Sequence, residues 1–426
     1  MTEITISLKK GAMIRILGPA KIRVSSGIVS VLGAEFRSGD EFEISGYRSY
    51  SLKALSDAGI EVSLGDGSKI ERADPFEEPL DDWITVADAV ISECNLPCII
   101  VVMGPVDAGK TSMAALLSNR ALVRGIPTAV IDADIGQADI GPPGFVSLAM
   151  PDSWTLWLRE LSPVSMRFVG SIEPAPVAGR LLSLTYDLVR EALEKGAGVV
   201  VVDTDGWVEG WGALEHKVDL IRLLRTNAVI VLGDPDLYET LHKVFPGSVR
   251  YARSPLVRIS RSQLDRKTLR TANYRRFLEG APVRALELNG LHVHGSCLFS
   301  SIPYNDPDVK AKVESITGKP SPFIGKFPGG YCIVVESESP IESSTLRSLQ
   351  KELSGDVLVL YTGGFKGVLV GLSDGLRDYP GIVEEVDLDT MRIKVRTYYE
   401  GPVRGLVFGR IRLVDYQDSA KRRVWI

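Results

Sequence analysis

Cysteine and long apolar runs are both scarce in this sequence. Four cysteines in 426 residues are too few for a disulfide framework. Cys94 and Cys98 have no second pair that would complete a zinc site, so we expect buried or free thiols. No apolar run approaches the roughly 20 residues that cross a bilayer, and residues 1–6 lack the start of a secretory signal. We therefore expect a cytoplasmic protein with no membrane contact.

Positive charge is not in excess either. The formal net charge of −5 argues against a protein that coats nucleic acid by bulk electrostatics. One segment departs from this background, because nine basic residues between Arg250 and Arg276 face a single acidic one, Asp265. Such a stretch predicts local contact with phosphate-rich ligands. The alternative is a solvated charged helix, although such helices normally mix both signs.

The length and the changing texture of the chain predict three parts. A single core stops growing at roughly 250 to 300 residues, and this chain has 426. Residues 1–80 alternate apolar and polar positions in short runs, typical of a small β domain. The segment 73–82 carries two prolines and five acidic residues, which favours an exposed connection. From 286 to 426 the β texture returns, which predicts a second β-rich domain.

Between residues 81 and 285, short wholly apolar strands alternate with helical patterns. The predicted strands are 98–103, 128–131, 199–202 and 228–232. Continuous apolar strands belong to a parallel sheet covered on both faces. The sequence therefore predicts an α/β fold, with a doubly wound parallel-sheet domain in the middle and a small β-rich domain on either side.

A phosphate-binding loop directly follows the first of these strands. Residues 104–111 fit the pattern GxxxxGK[ST] and precede a helical pattern, which is the setting that this chemistry requires. Backbone amides of such a loop wrap phosphate oxygens, and the helix N-terminus adds partial positive charge. Lys110 would act on the β- and γ-phosphates, and the Thr111 hydroxyl is placed to ligate Mg²⁺. The expected cofactors are ATP and Mg²⁺. The predicted nucleotide-binding residues are Gly104, Pro105, Val106, Asp107, Ala108, Gly109, Lys110, Thr111 and Ser112.

Acidic residues follow two other predicted strands. Asp132 and Asp134 come after strand 128–131, and Asp203 comes after strand 199–202. Phosphoryl transfer needs one carboxylate to hold the metal and one to orient or deprotonate the acceptor hydroxyl. Either location could serve the metal. The alternative for Asp132 and Asp203 is that they only cap a turn or a helix.

The basic segment and a nearby tryptophan supply further candidates. Arg266 and Arg270 are four residues apart and share a helical face, with Arg261 one residue outside that spacing. One helix and its entry could therefore aim three guanidinium groups at one site. Trp207, in a loop beyond a strand, can stack on any base. Ordinary packing is the alternative for Trp207, and Trp211 competes for the stacking role.

Five motifs in order across the central part resemble those of the polynucleotide 5′-hydroxyl kinases. This is the family of the eukaryotic pre-mRNA cleavage-complex kinase and the nucleolar rRNA-processing kinase, and the chain looks most like an archaeal member. The phosphate loop alone is not specific, but the set together is. The motifs are 104–111, 132–137, Phe168-Val-Gly-Ser171, Asp203-Thr-Asp-Gly-Trp207 and the segment from Arg261 to Arg270.

The resemblance implies a role for each matching position. Asp134 with Gln137 would form the corner that binds Mg²⁺ and activates the acceptor. Asp132 is a further candidate metal ligand because of its position after strand 128–131. Trp207 and Ser171 would contact the acceptor, with Trp207 stacking near its terminal base. Arg261, Arg266 and Arg270 would form a lid over the transferred phosphoryl group. Residues 141–144 match a proline-glycine clasp beside the first nucleotides. Asp203 stands where the family has Asn, which leaves its role open.

The resemblance and the residues together predict an ATP-dependent polynucleotide 5′-hydroxyl kinase. The partner is a nucleic acid with a 5′-hydroxyl end, RNA in preference to DNA, in RNA processing or repair. One alternative is a GTPase, since residues 203–206 fit the DxxG pattern of switch proteins. A GTPase also needs a guanine-specific NKxD after a later strand, but strand 229–232 is followed by Gly233-Asp-Pro-Asp236. The other is a scaffold of an RNA-processing complex that binds ATP without transferring phosphate. The sequence identifies no protein partner.

Overall fold

The N-terminal part consists of two antiparallel sheets. The structure is a computed structural model that describes residues 2–46, 48–74, 76–257 and 262–419. One sheet has the order β1-β8-β3-β6 and the other β5-β4-β7-β2-β9. The strands are β1 Thr2–Leu8, β2 Met13–Leu17, β3 Ala20–Ser26, β4 Ile28–Val31, β5 Ala34–Arg37, β6 Glu41–Ile44, β7 Ser49–Ala54, β8 Ala58–Leu64 and β9 Lys69–Arg72.

The central part is built on one sheet of order β13-β12-β11-β14-β10-β15-β16. Strands β11, β14, β10, β15 and β16 run parallel, whereas β12 and β13 are antiparallel additions at one edge. The strands are β10 Cys98–Met103, β11 Thr128–Ala133, β12 Phe145–Ala149, β13 Ser165–Phe168, β14 Val199–Thr204, β15 Ala228–Leu232 and β16 Val249–Ala252. The helices are α1 Leu80–Glu93, α2 Lys110–Val123, α3 Ala178–Glu194, α4 Trp211–Leu224, α5 Pro235–Val244 and α6 Gln263–Leu278.

Strands β10, β11, β14 and β15 are buried along their whole length, which confirms the predicted α/β fold. One apolar cluster joins one face of β10 and β14 to α1 and α2, and another joins the opposite face to α3, α4 and α5. The carboxyl ends of β10, β11 and β14 therefore meet at one edge of the sheet, where ligands of such folds bind. Within the described ranges, no helix is both long enough and apolar enough to span a membrane.

Helix α1 begins inside the segment that was predicted to be an exposed connection, so that prediction was wrong at its C-terminal end. Leu80 and Trp83 pack into the core. Asp81 and Asp82 occupy the first turn of α1, where acidic side chains are favoured by the helix dipole. A run of acidic residues therefore marked a helix start here rather than a loop.

The C-terminal part contains two sheets. One has the order β17-β25-β24-β23-β26-β18, and β27 pairs with β26 of this sheet. The other has four strands in the order β19-β20-β21-β22. The strands of this part are β17 Val283–Glu287, β18 His292–His294, β19 Ile302–Pro303, β20 Phe323–Phe327, β21 Gly330–Val335, β22 Asp356–Tyr361, β23 Val368–Ser373, β24 Asp378–Asp387, β25 Arg392–Arg396, β26 Gly405–Val414 and β27 Gln417–Asp418. Its helices are α7 Cys297–Ser300, α8 Pro307–Thr317 and α9 Ser343–Leu353. It packs on the central part through an apolar cluster that includes Phe145, Tyr274, Leu369 and Ile411.

All four cysteines are paired, so the expectation that Cys94 and Cys98 are buried or free thiols was wrong. Cys94 bonds Cys98, with Cα atoms 5.9 Å apart, across the short turn between α1 and β10. Cys297 of α7 bonds Cys332 of β21, with Cα atoms 5.7 Å apart. The second pair is 35 residues apart in sequence, a separation from which sequence alone gives no pairing.

The domain boundaries at 80 and 285 remain our proposal. They are supported by the sheets, since among the described residues no strand of the N-terminal or C-terminal part joins the central sheet. Strand β17 begins at Val283, two residues before the second proposed boundary.

Candidate active site

A cleft of about 1000 Å³ opens at the carboxyl edge of the central sheet. Its lining comes from the phosphate loop, the loops that follow β11 and β14, residues 172–174 and the first turns of α6. Residues 48–50 from the N-terminal part and 418–419 from the C-terminal part complete the wall. All three parts of the chain therefore border one cavity.

The phosphate loop turns into α2 at Gly109, which has a left-handed φ of 101°. A Cβ atom there would approach the Trp83 ring to 2.8 Å, so both the conformation and the space call for glycine. Lys110 is only 7% exposed, and its Nζ donates to the Pro105 carbonyl at 2.8 Å. Burial lowers the Lys110 pKa, whereas the carboxylates of Asp134 and Asp203 raise it.

The predicted nucleotide-binding residues divide into two groups by position. Six of them line the cleft, namely Val106, Asp107, Gly109, Lys110, Thr111 and Ser112. Gly104, Pro105 and Ala108 form the remainder of the turn behind them.

Asp134 lines the cleft, as the acidic-corner prediction requires. Its Oδ1 accepts backbone hydrogen bonds from Gly136 at 3.1 Å and Gln137 at 2.9 Å, which fix the loop after β11. Burial raises the Asp134 pKa, and the Lys110 charge lowers it. The side chain of Gln137 also lines the cleft, where its Nε2 donates to the Gly136 carbonyl.

Asp132 lies beneath this corner rather than in the cleft, and it is 2% exposed. Its Oδ2 accepts from the backbone of Asp139 at 2.7 Å and of Ile140 at 2.9 Å, and its Oδ1 accepts from Asp134 N at 3.2 Å. Burial raises the Asp132 pKa well above its usual range. These contacts support the turn-capping alternative for Asp132, and its predicted role as a metal ligand gains no support from its position.

Asp203 at the end of β14 is 2% exposed and sits beside the phosphate loop. Burial raises its pKa to about 7, while the side chains of Lys110 and Thr111 lower it. Among the described residues its Oδ1 has no hydrogen-bond partner. A buried oxygen without a donor, next to a hydroxyl, fits a hydrated Mg²⁺. The sequence had left this residue's role open.

Trp207 lines the cleft on a loop that a buried ion pair holds in place. Asp205 Oδ1 accepts from Trp207 N at 2.8 Å and from Lys217 Nζ at 3.1 Å, and the Lys217 side chain is 0% exposed. The Trp207 ring packs against His216, with centroids 5.5 Å apart. Burial lowers the His216 pKa to about 4, so this ring is neutral at pH 7.

Sequence reasoning missed Lys217. The sequence feature that could have indicated a role for Lys217 is its position in the apolar stripe of α4. Ala213, Lys217, Leu220 and Leu224 recur there at helical spacing, and all four are buried. A lysine in such a stripe needs a buried partner, because an unpaired charge in a core is costly. The partner, Asp205, also lines the cleft.

Helix α6 carries the predicted lid. Ser262 caps the N-terminus of α6 in a capping box with Asp265. Arg266 and Arg270 of this helix line the cleft. Arg266 Nη2 donates to Asp107 Oδ2 in the phosphate loop at 2.7 Å. Arg270 pairs with Asp418 of β27. Arg261 lies outside the described residues.

The charge count of the basic segment overstated its free positive charge. Arg250 pairs with Glu93, Arg253 with Asp82, and Arg275 with Glu279. Most of these carboxylates are distant in sequence, so a count along the segment cannot include them. Three basic residues of the segment line the cleft, namely Arg266, Lys267 and Arg270, and two of them are also paired with carboxylates there.

Two motif positions lie beside the cleft rather than in it. Ser171 is buried; its Oγ donates to the Glu173 carbonyl and accepts from Glu173 N, which shapes the turn 172–174 that lines the cleft. Ser171 is thus placed to support this wall. Residues 141–144 are buried, and Gly144 packs near Ile411 of the C-terminal sheet, so the proline-glycine stretch does not line the cleft.

The sheet order, the phosphate loop and the cleft define a P-loop nucleotide-binding protein. Residues 104–280 match the family model described as mRNA cleavage and polyadenylation factor CLP1 P-loop. The chain is 30% identical to a polyribonucleotide 5′-hydroxyl-kinase of Pyrococcus horikoshii, covering 79% of this chain and 91% of that one. A kinase of the same name from Methanocaldococcus jannaschii is 27% identical, covering 76% and 89%. The chain belongs to the polyribonucleotide 5′-hydroxyl kinase family.

A solved structure shares the whole architecture. A chain of the wild-type Clp1p–Pcf11p complex superposes with a TM-score of 0.62 over 96% of this chain and 98% of that chain. The two are 14% identical, so this likeness concerns the fold alone.

Proposed function

We propose that this protein is an ATP-dependent polynucleotide 5′-hydroxyl kinase that transfers the γ-phosphoryl group of ATP to the 5′-hydroxyl end of RNA. The observation that carries the proposal is the convergence of Lys110, Asp134, Arg266 and Trp207 on one cleft. Phosphate binding, acceptor activation, charge stabilisation and base stacking each need one of these side chains. Family membership supports RNA as the acceptor, since the curated relatives are named for polyribonucleotides.

The side chains divide the work of an in-line transfer. Lys110 exchanges its bond to the Pro105 carbonyl for the phosphates of the nucleotide. Asp134 orients and deprotonates the attacking 5′-hydroxyl, and Arg266 and Arg270 stabilise charge on the transferred group. Trp207 holds the terminal base so that the hydroxyl lies near the phosphate.

Thr111, Asp203 and Asp134 would hold Mg²⁺, which neutralises phosphate charge when it is bound. In the described part of the chain, no group of three or more His, Cys, Asp or Glu side chains forms a metal site. A hard cation bound by one or two carboxylates together with nucleotide oxygens needs no such group. This assignment makes cation binding depend on the nucleotide.

The test is transfer of label from γ-labelled ATP to a 5′-hydroxyl RNA oligonucleotide, with a 5′-phosphorylated copy as the control. We expect labelling of the first oligonucleotide only. Hydrolysis of ATP without labelled RNA, or binding of ATP with neither product, would reject the kinase assignment and leave the scaffold alternative. A GTPase would release label from GTP and label no oligonucleotide.

Replacing Arg266 should slow the chemical step more than it weakens RNA binding. A guanidinium that contacts the phosphoryl group only during transfer contributes to kcat. For Arg266→Ala, and likewise Arg270→Ala, we expect kcat to fall about a hundredfold with modest change in the acceptor KM. Arg275→Ala is the matched control, because Arg275 lies on the same helix and pairs with Glu279. A rise only in acceptor KM that high salt removes would instead define a backbone-binding groove.

Trp207→Ala should weaken acceptor binding by roughly 1 to 3 kcal/mol, the cost of one lost base stack. The measurement is acceptor KM, with direct RNA binding by fluorescence anisotropy. Trp211→Ala is the control, because Trp211 is 71% exposed at the start of α4 and does not line the cleft. Equal effects of the two substitutions, or an effect of Trp211→Ala alone, would contradict the assignment of the stack to Trp207.

A further inference from the structure

Arg270 is held by a carboxylate from the far end of the chain. Its Nε donates to Asp418 Oδ1 at 3.1 Å and its Nη2 donates to Asp418 Oδ2 at 3.0 Å. The two residues are 148 positions apart in sequence. Both line the cleft, although Asp418 belongs to a strand of the C-terminal sheet. Nothing in the sequence motifs indicated this contact.

The geometry of the pair fixes the plane of the guanidinium group. Two parallel N–H···O bonds hold a guanidinium in one orientation, which a single bond does not do. Asp418 is 3% exposed, so this is a buried pair and not a surface one. Removing one partner of a buried pair leaves an uncompensated charge, and the pair is therefore costly to open.

Asp418 is itself held in place by the C-terminal sheet. It pairs with Leu413 across the hairpin of β26 and β27. Leu413 and Tyr274 belong to the same apolar cluster, and Tyr274, one turn after Arg270 on α6, is fully buried. The hairpin and the lid helix therefore share a core, and the carboxylate has a defined position relative to α6.

We propose that Asp418 is a positioning residue for the transfer reaction, which orients Arg270 toward the transferred phosphoryl group. The two hydrogen bonds to Asp418 use Nε and Nη2 of Arg270, so Nη1 takes no part in this pair. Because the carboxylate is buried on a paired strand, Arg270 acts from this position without breaking two charge-assisted bonds. The proposal rests on the kinase function proposed above. It assigns a part of the catalytic centre to the C-terminal sheet.

The first test is Asp418→Asn, which keeps the size of the side chain and removes the negative charge that orients the Arg270 guanidinium group. We expect kcat to fall roughly ten- to a hundredfold, the cost of a misplaced catalytic group, with the KM values for ATP and RNA changed less than about threefold. Asp415→Asn, an exposed position in the same hairpin, is the control and should match the wild type. An unchanged or a raised kcat would overturn the proposal.

The second test separates positioning from general stabilisation. If Asp418 acts through Arg270, then Asp418→Asn should cause no further loss of kcat in an Arg270→Ala background. A loss of the same size in both backgrounds would overturn the proposal. Arg270→Lys is an independent probe that leaves Asp418 in place. Lysine keeps the positive charge but cannot form the two parallel hydrogen bonds to the carboxylate. We therefore expect its kcat to fall as much as that of Asp418→Asn. Full activity of Arg270→Lys would also overturn the proposal.

These outcomes are distinct from a failure of the kinase assignment. Wild-type protein that labels no oligonucleotide would reject the proposed function before any variant is made. Wild-type transfer with an unchanged Asp418→Asn rate would reject only the role of Asp418. Thermal unfolding of each variant shows whether a lower rate reflects loss of folded protein.

Discussion

Lys110→Ala loses phosphoryl transfer by at least about a thousandfold while the protein remains folded, if the cleft works as proposed. The Lys110 ammonium is buried at the floor of the cleft, and its bond to the Pro105 carbonyl is one that the nucleotide phosphates can replace. The side chain is not part of an apolar cluster, and burial already disfavours its charge. Truncating it should therefore leave the melting temperature unchanged or higher. The measurements are label transfer and thermal unfolding.

Lys195→Ala is the control for this substitution. Lys195 follows α3 in the same domain and forms only a partly exposed ion pair with Glu191. It should retain wild-type activity. If Lys110→Ala kept more than about a tenth of the activity, the assignment of the phosphate loop would be wrong.

Asp134→Asn should reduce kcat by about a hundredfold to ten-thousandfold, the range expected for a general base. The Oδ1 atom of Asp134 accepts two backbone hydrogen bonds that an asparagine Oδ1 can also accept. The substitution should therefore keep the loop after β11 in place and remove only the charge. ATP binding, measured as a nucleotide-dependent rise in melting temperature, should persist.

Asp234→Asn makes the same chemical change away from the cleft. Asp234 caps α5, where its Oδ1 accepts from the backbone of Leu237. This variant should keep the wild-type rate. An unchanged rate in Asp134→Asn would transfer the role to Asp203, whose Oδ1 has no partner among the described residues. Asp132 is the weaker candidate, because both its oxygens already accept backbone hydrogen bonds.

Much of the central fold could be predicted because its signals are local. Wholly apolar strands such as 98–103 and 199–202 are buried where a parallel sheet requires it. Residues at the carboxyl ends of neighbouring parallel strands meet at one edge, so the sequence could also bring Lys110 and Asp134 to one place. The site roles given to these residues remain predictions until the variants are measured.

What could not be predicted depends on contacts between residues distant in sequence. Arg266 and Arg270 share a helical face as expected, but no pattern indicates their partners Asp107 and Asp418. The pairing of Cys297 with Cys332 could not be predicted for the same reason, since the two residues are 35 positions apart in sequence. The role of Asp132 stays open for a different reason, since sequence alone does not distinguish a carboxylate that binds metal from one that caps a turn.

The position of Asp418 in the cleft links activity to the order in which the chain is made. Translation proceeds from the N-terminus, so α6 and the phosphate loop leave the ribosome long before β27 does. A nascent chain shorter than 418 residues can carry the whole phosphate loop, but it lacks the carboxylate that pairs with Arg270. If Asp418 positions Arg270 as proposed, full transfer activity would therefore begin only after β27 has been synthesised and has paired with β26.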